Sequence, residues 1–211
     1  MKALADLAGK PLIIRLHERL GTNYPIAWCT SYLERDSPLC LLGRGVGNAL
    51  VLAADPVDIV SRFILAARLF KADTVIRVTG DNPLTDPHVM NTLIAAHSGG
   101  YTFTDDPPKG TKSEIISLTL LEKFHAKEDP KKSEDFSNLM RSGNYSPSKN
   151  VGFSEKYRRP EMRLTVDYPS DLELVQDIYN HYEGNPPTLP EIIEYVESKH
   201  HNHGAQLRSI P

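Results

Sequence analysis

Two spacings of apolar residues alternate along the chain, one of period two and one of period 3.6. Thr74-Val75-Ile76-Arg77-Val78 is β-branched except at Arg77 and reads as a strand. Gly80 ends it, Asp81 stands at its carboxyl end, and Asp86-Pro87 follows as a helix start, Asp as N-cap and Pro as first helical residue. The helix then carries Val89, Met90, Leu93 and Ile94 before Ser98-Gly99-Gly100 closes it. Upstream, Pro11 opens a helix with Leu12, Ile13, Leu16 and Leu20 on one face, and Gly21 stops it. Tyr24 to Ser31 reads as a buried strand ending in two hydroxyls, Thr30 and Ser31. Ser37-Pro38 starts a short helix, and Ala49 to Ala53 forms a further strand. Asp55-Pro56 is read as the cap of the next helix, where Ile59, Phe63, Ala66, Ala67 and Phe70 recur at helical spacing.

Tyr101 to Lys112 is polar and contains the turn-rich Asp105-Asp106-Pro107-Pro108-Lys109-Gly110. Glu114 to Leu118 predicts a strand and Leu118 to His125 a helix. Residues 126–159 are charged and rich in Ser, Lys, Asn and Pro, and are expected to form an irregular excursion. Arg163 to Asp167 is read as a last strand, ending like the central one in an aspartate. Tyr168 to Asp171 caps a helix, and Thr188-Leu189-Pro190 starts a terminal one. Strands alternating with amphipathic helices predict an α/β fold: a three-layer sandwich with a mainly parallel sheet, in a single domain over residues 1–211.

A chain of 211 residues has ample material for a core. Its formal net charge of −3 and the lack of a basic block give no basis for nucleic-acid binding by bulk electrostatics. Cys29 and Cys40 make neither a disulfide framework nor a zinc site. No apolar run is long enough for a bilayer, so no membrane association is expected and a cytoplasmic location is. The Gly43–Gly47 turn does not follow a strand and is not read as a phosphate loop, and the His200–His203 cluster reads as a tail.

The candidate chemistry rests on Asp81 and Asp167. Two carboxylates brought to one sheet edge suit a hard divalent cation such as Mg2+, whose remaining positions go to water and phosphate oxygens. An ammonium nearby, Lys2 or Lys10, would serve as a further point charge on phosphate.

Four segments carry a family resemblance. They are Lys2 to Leu12, with its Gly9-Lys10-Pro11-Leu12; Asp58 to Phe63; Arg77-Val78-Thr79-Gly80-Asp81-Asn82-Pro83-Leu84; and Leu164-Thr165-Val166-Asp167-Tyr168-Pro169-Ser170-Asp171-Leu172-Glu173. In this order they resemble the motifs of the cytidylyltransferases that act on sugars. The nearest branch is the spore-coat polysaccharide biosynthesis F-type proteins, beside the acylneuraminate and 3-deoxy-manno-octulosonate enzymes. The resemblance implies CMP transfer from CTP to a sugar acid, with pyrophosphate released. It implies Asp81 and Asp167 as Mg2+ ligands, Lys2 as the phosphate-binding lysine, and Lys10, Thr30, Ser31, Thr79 and Gly80 around the nucleotide. Glu114 falls at an acidic position on the sugar side, and a homodimer is the family expectation. Lys112 stands where the nearest relatives usually carry an aspartate. The family's first strand and phosphate loop are expected ahead of Lys2, so the chain reads as starting inside the signature. A sugar phosphate as acceptor, or a catalytically silent nucleotide-binding domain, stay open as alternatives.

Overall fold

The computed structural model describes residues 2–21 and 23–206, the side chains of residues 200–206 excepted, so the His200–His203 cluster lies outside the described side chains. A short hairpin of β1 (Asp6–Leu7) and β2 (Lys10–Pro11) leads into α1 (Leu12–Leu20). Next come β3 (Ile26–Ser31), α2 (Ser37–Arg44), β4 (Ala49–Ala54), α3 (Ile59–Phe70), β5 (Thr74–Arg77) and α4 (Pro87–Ala96). The second half holds β6 (Tyr101–Phe103), β7 (Glu114–Ser117), α5 (Leu118–His125), α6 (Phe136–Arg141), β8 (Ser148–Asn150), α7 (Pro169–His181) and α8 (Leu189–Gln206). No described helix is long and apolar enough to cross a membrane.

The layering shows in two adjacent residues of β7. Ile115 is fully buried among Leu84, Val89 and Leu93 of the α4 side and Val175 and Ile178 of α7, with α8 beside them. Ile116 is fully buried on the opposite face, among Val60 and Ile64 of α3, Leu121 and Phe124 of α5, and Phe136 of α6. Successive strand residues point to opposite faces, so β7 is covered by helices on both sides, as a three-layer sandwich requires.

Strand directions are mixed. β3–β4 and β6–β8 pair in parallel, whereas β7 runs against both β5 and β6. The alternation of helices and strands predicts a mainly parallel sheet, but residues 104–113 join β6 to β7 without a crossover helix, and strands joined that way run antiparallel. The β3–β4 pair and the four-stranded sheet in the order β5-β7-β6-β8 share no ladder among the described residues, and α3 packs against both.

Three local expectations are corrected, at Asp55, at 101–103 and at 163–167. Asp55 does not cap α3; Asp58 does, its side chain accepting from the Ser61 amide, while Asp55 accepts from the amides of Val57 and Asp58 in the preceding turn. Tyr101–Phe103, expected in a polar loop, is a strand with all three residues buried. The 126–159 stretch has only short elements, yet Phe136 and Met140 of α6 are 2% and 1% exposed in the core and β8 closes the sheet edge. Arg163–Asp167 is not a strand. It forms one isolated bridge, Arg163 to Lys109, and its backbone pairs with loops instead of a neighbouring strand.

Candidate active site

The chain leaves β5 at Arg77 and turns tightly. The Asn82 amide bonds the Thr79 carbonyl at 3.1 Å, and the Asn82 side chain donates to Thr79 Oγ1 at 2.6 Å. Beside this turn lies the extended stretch before α7. The Val166 amide donates to the Asp81 carbonyl at 2.9 Å, one residue before Asp167. A third segment completes the fit: Lys109 N–H bonds Met162 O at 2.9 Å, and Leu164 N–H returns a bond to Lys109 O at 2.7 Å. Gly110 permits this approach. Its φ is +97°, and a Cβ there would meet the Thr165 nitrogen at 2.4 Å.

The three docked segments bring distant side chains together. Lys2 Nζ lies 2.8 Å from Asp167 Oδ1 and 3.9 Å from Asp81 Oδ2, so those two oxygens are within about 7 Å of each other. Asp167 Oδ2 also meets Arg163 at 2.5 Å and Lys109 at 3.6 Å. The hydrogen bond from Lys2, joined by one from Arg163, holds the Asp167 carboxyl below its ordinary range and raises Lys2 in turn. Asp171 braces the arrangement: it accepts from Arg163 at 3.0 Å and from the backbone amides of Asp167 and Tyr168 at 2.8 and 2.9 Å. The Arg163 hydrogen bond, then those amides, pull its carboxyl far below the usual value. Among the described residues, no three His, Cys, Asp or Glu side chains cluster as a ready-made metal cage. Two carboxylates sharing one half-exposed ammonium do fit a cation that draws its other ligands from phosphate and water.

Next to the pair is a cavity of about 130 Å3, with Arg77, Thr79, Asn82, Lys109 and Lys112 in its wall. Glu114 also faces it, but its oxygens are engaged by Arg77 at 2.6 Å, Ser137 at 2.8 Å and the Tyr101 hydroxyl at 2.6 Å. Burial, then this carboxylate, pushes the Tyr101 hydroxyl well above its ordinary pKa.

Residues 1–186 match the cytidylyltransferase family. The chain belongs to that family. A spore coat polysaccharide biosynthesis protein of Bacillus subtilis, SpsF, is 31% identical over 130 residues, covering 57% of this chain and 53% of that protein. A 3-deoxy-manno-octulosonate cytidylyltransferase of Anaeromyxobacter is 31% identical over 124 residues, 56% of this chain and 50% of that enzyme. The chain thus spans about half the length of these relatives. A solved cytidylyltransferase from Leptospira borgpetersenii superposes with a TM-score of 0.85 at 18% identity, over 94% of this chain and 87% of that one, which shows the shared fold.

In this cytidylyltransferase-family chain, Asp81, Asp167 and Lys2 converge, with Thr79 and Gly80 beside them. Lys10 is not brought to them; its ammonium pairs with Glu18 at 2.6 Å. Thr30 and Ser31 end β3 in the two-stranded sheet, both buried, and the Ser31 hydroxyl donates to Asp36. Sequence reasoning passed over Arg163, Lys109 and Asn82. The Arg163-x3-Asp167-x3-Asp171 spacing was a visible signal for the first. Lys109 stands in the 105–112 loop, which reads as either a gate to the sugar side or an exposed turn, with no role of its own; its neighbours across space lie more than fifty residues on.

Proposed function

We propose that this chain transfers the cytidylyl group of CTP to a sugar acid in a magnesium-dependent reaction that releases pyrophosphate. The convergence of Asp81 and Asp167 on one ammonium carries this reading. The relatives support its finer parts: one is named for polysaccharide biosynthesis and one for transfer to 3-deoxy-manno-octulosonate.

A hydroxyl oxygen of the sugar attacks the α-phosphorus, the α-phosphorus bond to the bridging oxygen breaks, and pyrophosphate leaves; the hydroxyl proton passes to solvent. Asp81 and Asp167 would hold Mg2+, which supplies charge neutralisation on the phosphates. That cation would take over the compensation Lys2 now gives, leaving the ammonium for the triphosphate. Arg163 and Asp171 keep Asp167 oriented. Gly80 supports a close ligand approach: its φ is outside the left-handed region, and a Cβ would meet only Ile13 Cδ1, at 3.6 Å. The chain's own packing does not demand a glycine there.

The test is pyrophosphate release from CTP with Mg2+ across a set of sugar acids, with a thermal-shift panel of nucleotides alongside. Release that requires both Mg2+ and an acid acceptor is expected. Absence of any stabilisation by CTP with Mg2+ would overturn the reading.

A further inference from the structure

We infer that Lys112 reads the carboxylate of the acceptor, and that Ser113 and Asn82 read a hydroxyl beside it. The inference rests on the proposed cytidylyl transfer and assigns residues to its acceptor side.

Four cationic side chains line the small cavity: Arg77, Lys109, Lys112 and Arg141. Three of them have carboxylate partners. Arg77 is paired with Glu114 at 2.6 Å, Arg141 with Asp105 at 2.5 Å, and Lys109 with Asp167 at 3.6 Å. Lys112 has none within 4 Å among the described residues; its ammonium bonds only the Asp105 carbonyl, at 3.2 Å. It is half-buried, and burial is the leading cause that lowers its pKa. Asp105, Asp106 and Glu114 act on this ammonium only from beyond 4 Å, and burial outweighs them; an anion entering beside it would offset that cost.

Two further groups in the same wall lack hydrogen-bond partners among the described residues. Ser113 is 2% exposed and its hydroxyl oxygen makes no hydrogen bond, nor does Asn82 Oδ1. Polar atoms buried without partners are rare in folded proteins and ask for an explanation. A hydroxyl that can donate and an amide oxygen that can accept together suit a ligand hydroxyl, which does both. An ammonium with no direct carboxylate partner among the described residues suits a monoanion, which favours a carboxylate over the dianion of a sugar phosphate. The cavity adjoins the chemistry, since Asn82 follows Asp81 and Lys109 spans from the cavity to Asp167.

The test compares 3-deoxy-manno-octulosonate and N-acetylneuraminate with their uncharged carboxamides, and with mannose 1-phosphate, as acceptors for wild type, Lys112→Gln and Lys112→Arg. Wild type should prefer an acid. Lys112→Gln should raise the KM of that acid about 10- to 100-fold, the span expected for a lost charged hydrogen bond, and erase its preference over the amide. Lys112→Arg should restore part of it, and stabilisation by CTP with Mg2+ should be the same in all three. An unchanged acid preference in Lys112→Gln overturns the inference and leaves cytidylyl transfer standing. Preference for the sugar phosphate, or for none of the acids, overturns it also. Failure of wild type to bind CTP with Mg2+ overturns the underlying reading and the inference with it.

Discussion

Two cavities among the described residues contrast in character. The larger, of about 550 Å3, lies between α1, the start of α4 and the loop joining α7 to α8, and two arginines dominate it. Their guanidiniums are spent on backbone carbonyls: Arg15 on Leu7, Ala8 and Gly184, Arg19 on Thr85, Pro186 and Pro187. Arg19 also lies 3.6 Å from Asp86, whose other oxygen caps α4. Both arginines tie one piece of chain to another. Among the described residues, the smaller cavity holds an ammonium with no carboxylate within 4 Å and two oxygens without hydrogen-bond partners. Unmet polar demand sets the smaller cavity apart from the larger, whose arginines hold chain segments together.

The contrast makes substitutions at the two places differ in kind. The largest effect is expected at the carboxylate pair: Asp81→Asn or Asp167→Asn should lower pyrophosphate release about a thousandfold, the scale of losing a metal's stabilisation of the reacting phosphate. Thermal unfolding of Asp81→Asn should stay within a few degrees of wild type. A loss of fold in place of a loss of rate would make the pair structural.

Arg19→Ala should do the reverse. Breaking a buried ion pair costs about 3–5 kcal/mol, which for a chain of this size lowers Tm by about 10 °C. The affinity for CTP with Mg2+, measured by calorimetry well below that Tm, should not change. A large affinity loss without destabilisation would move the ligand to the bigger cavity.

Acid unfolding gives a third comparison. The Asp171 carboxyl is pulled below its ordinary value of 3.8 in the folded chain. Its stabilising contribution is therefore full at pH above about 5 and is lost as pH falls through and below 3.8. Asp171→Asn should be less stable at neutral pH and should flatten the acid limb of a denaturation series. An acid limb as steep as that of wild type would show that Arg163 does not grip this carboxylate in solution.

The smallest change concerns Gly80. Gly80→Ala should leave stability within about 0.5 kcal/mol, since the added Cβ meets ordinary contact only. It should weaken binding of CTP with Mg2+ measurably, because the new methyl occupies room that the chain itself does not use. Unchanged binding would remove Gly80 from the nucleotide's path.

Much of this was legible from local pattern. The strand Thr74–Arg77, the Asp86-Pro87 helix start and the helix opening at Pro169 all appear where residue chemistry places them. Failures came where a neighbour far along the chain decided the outcome. Tyr101-Thr102-Phe103 looks like the edge of a polar loop, but β7 and β8 flank it and bury it. Arg163–Asp167 has a strand's composition, yet its hydrogen-bonding partners are Lys109 and Asp81 in loops, so it stays irregular. Residues 126–159 lack a long apolar period because only isolated side chains, such as Phe136 and Met140, reach the core.

By itself the sequence determined which residue types are available to bind a divalent cation and phosphate, and where strands and helices begin, because capping, β-branching and glycine act within a few residues. Tertiary structure alone decided which of those charges remain unspent. Lys10 and Lys112 look alike in the chain, but Glu18 answers the first and no carboxylate within 4 Å among the described residues answers the second. Electrostatic neutralisation depends on distance in space, and that distance is set only when Gly110 lets one loop settle against the backbone of another.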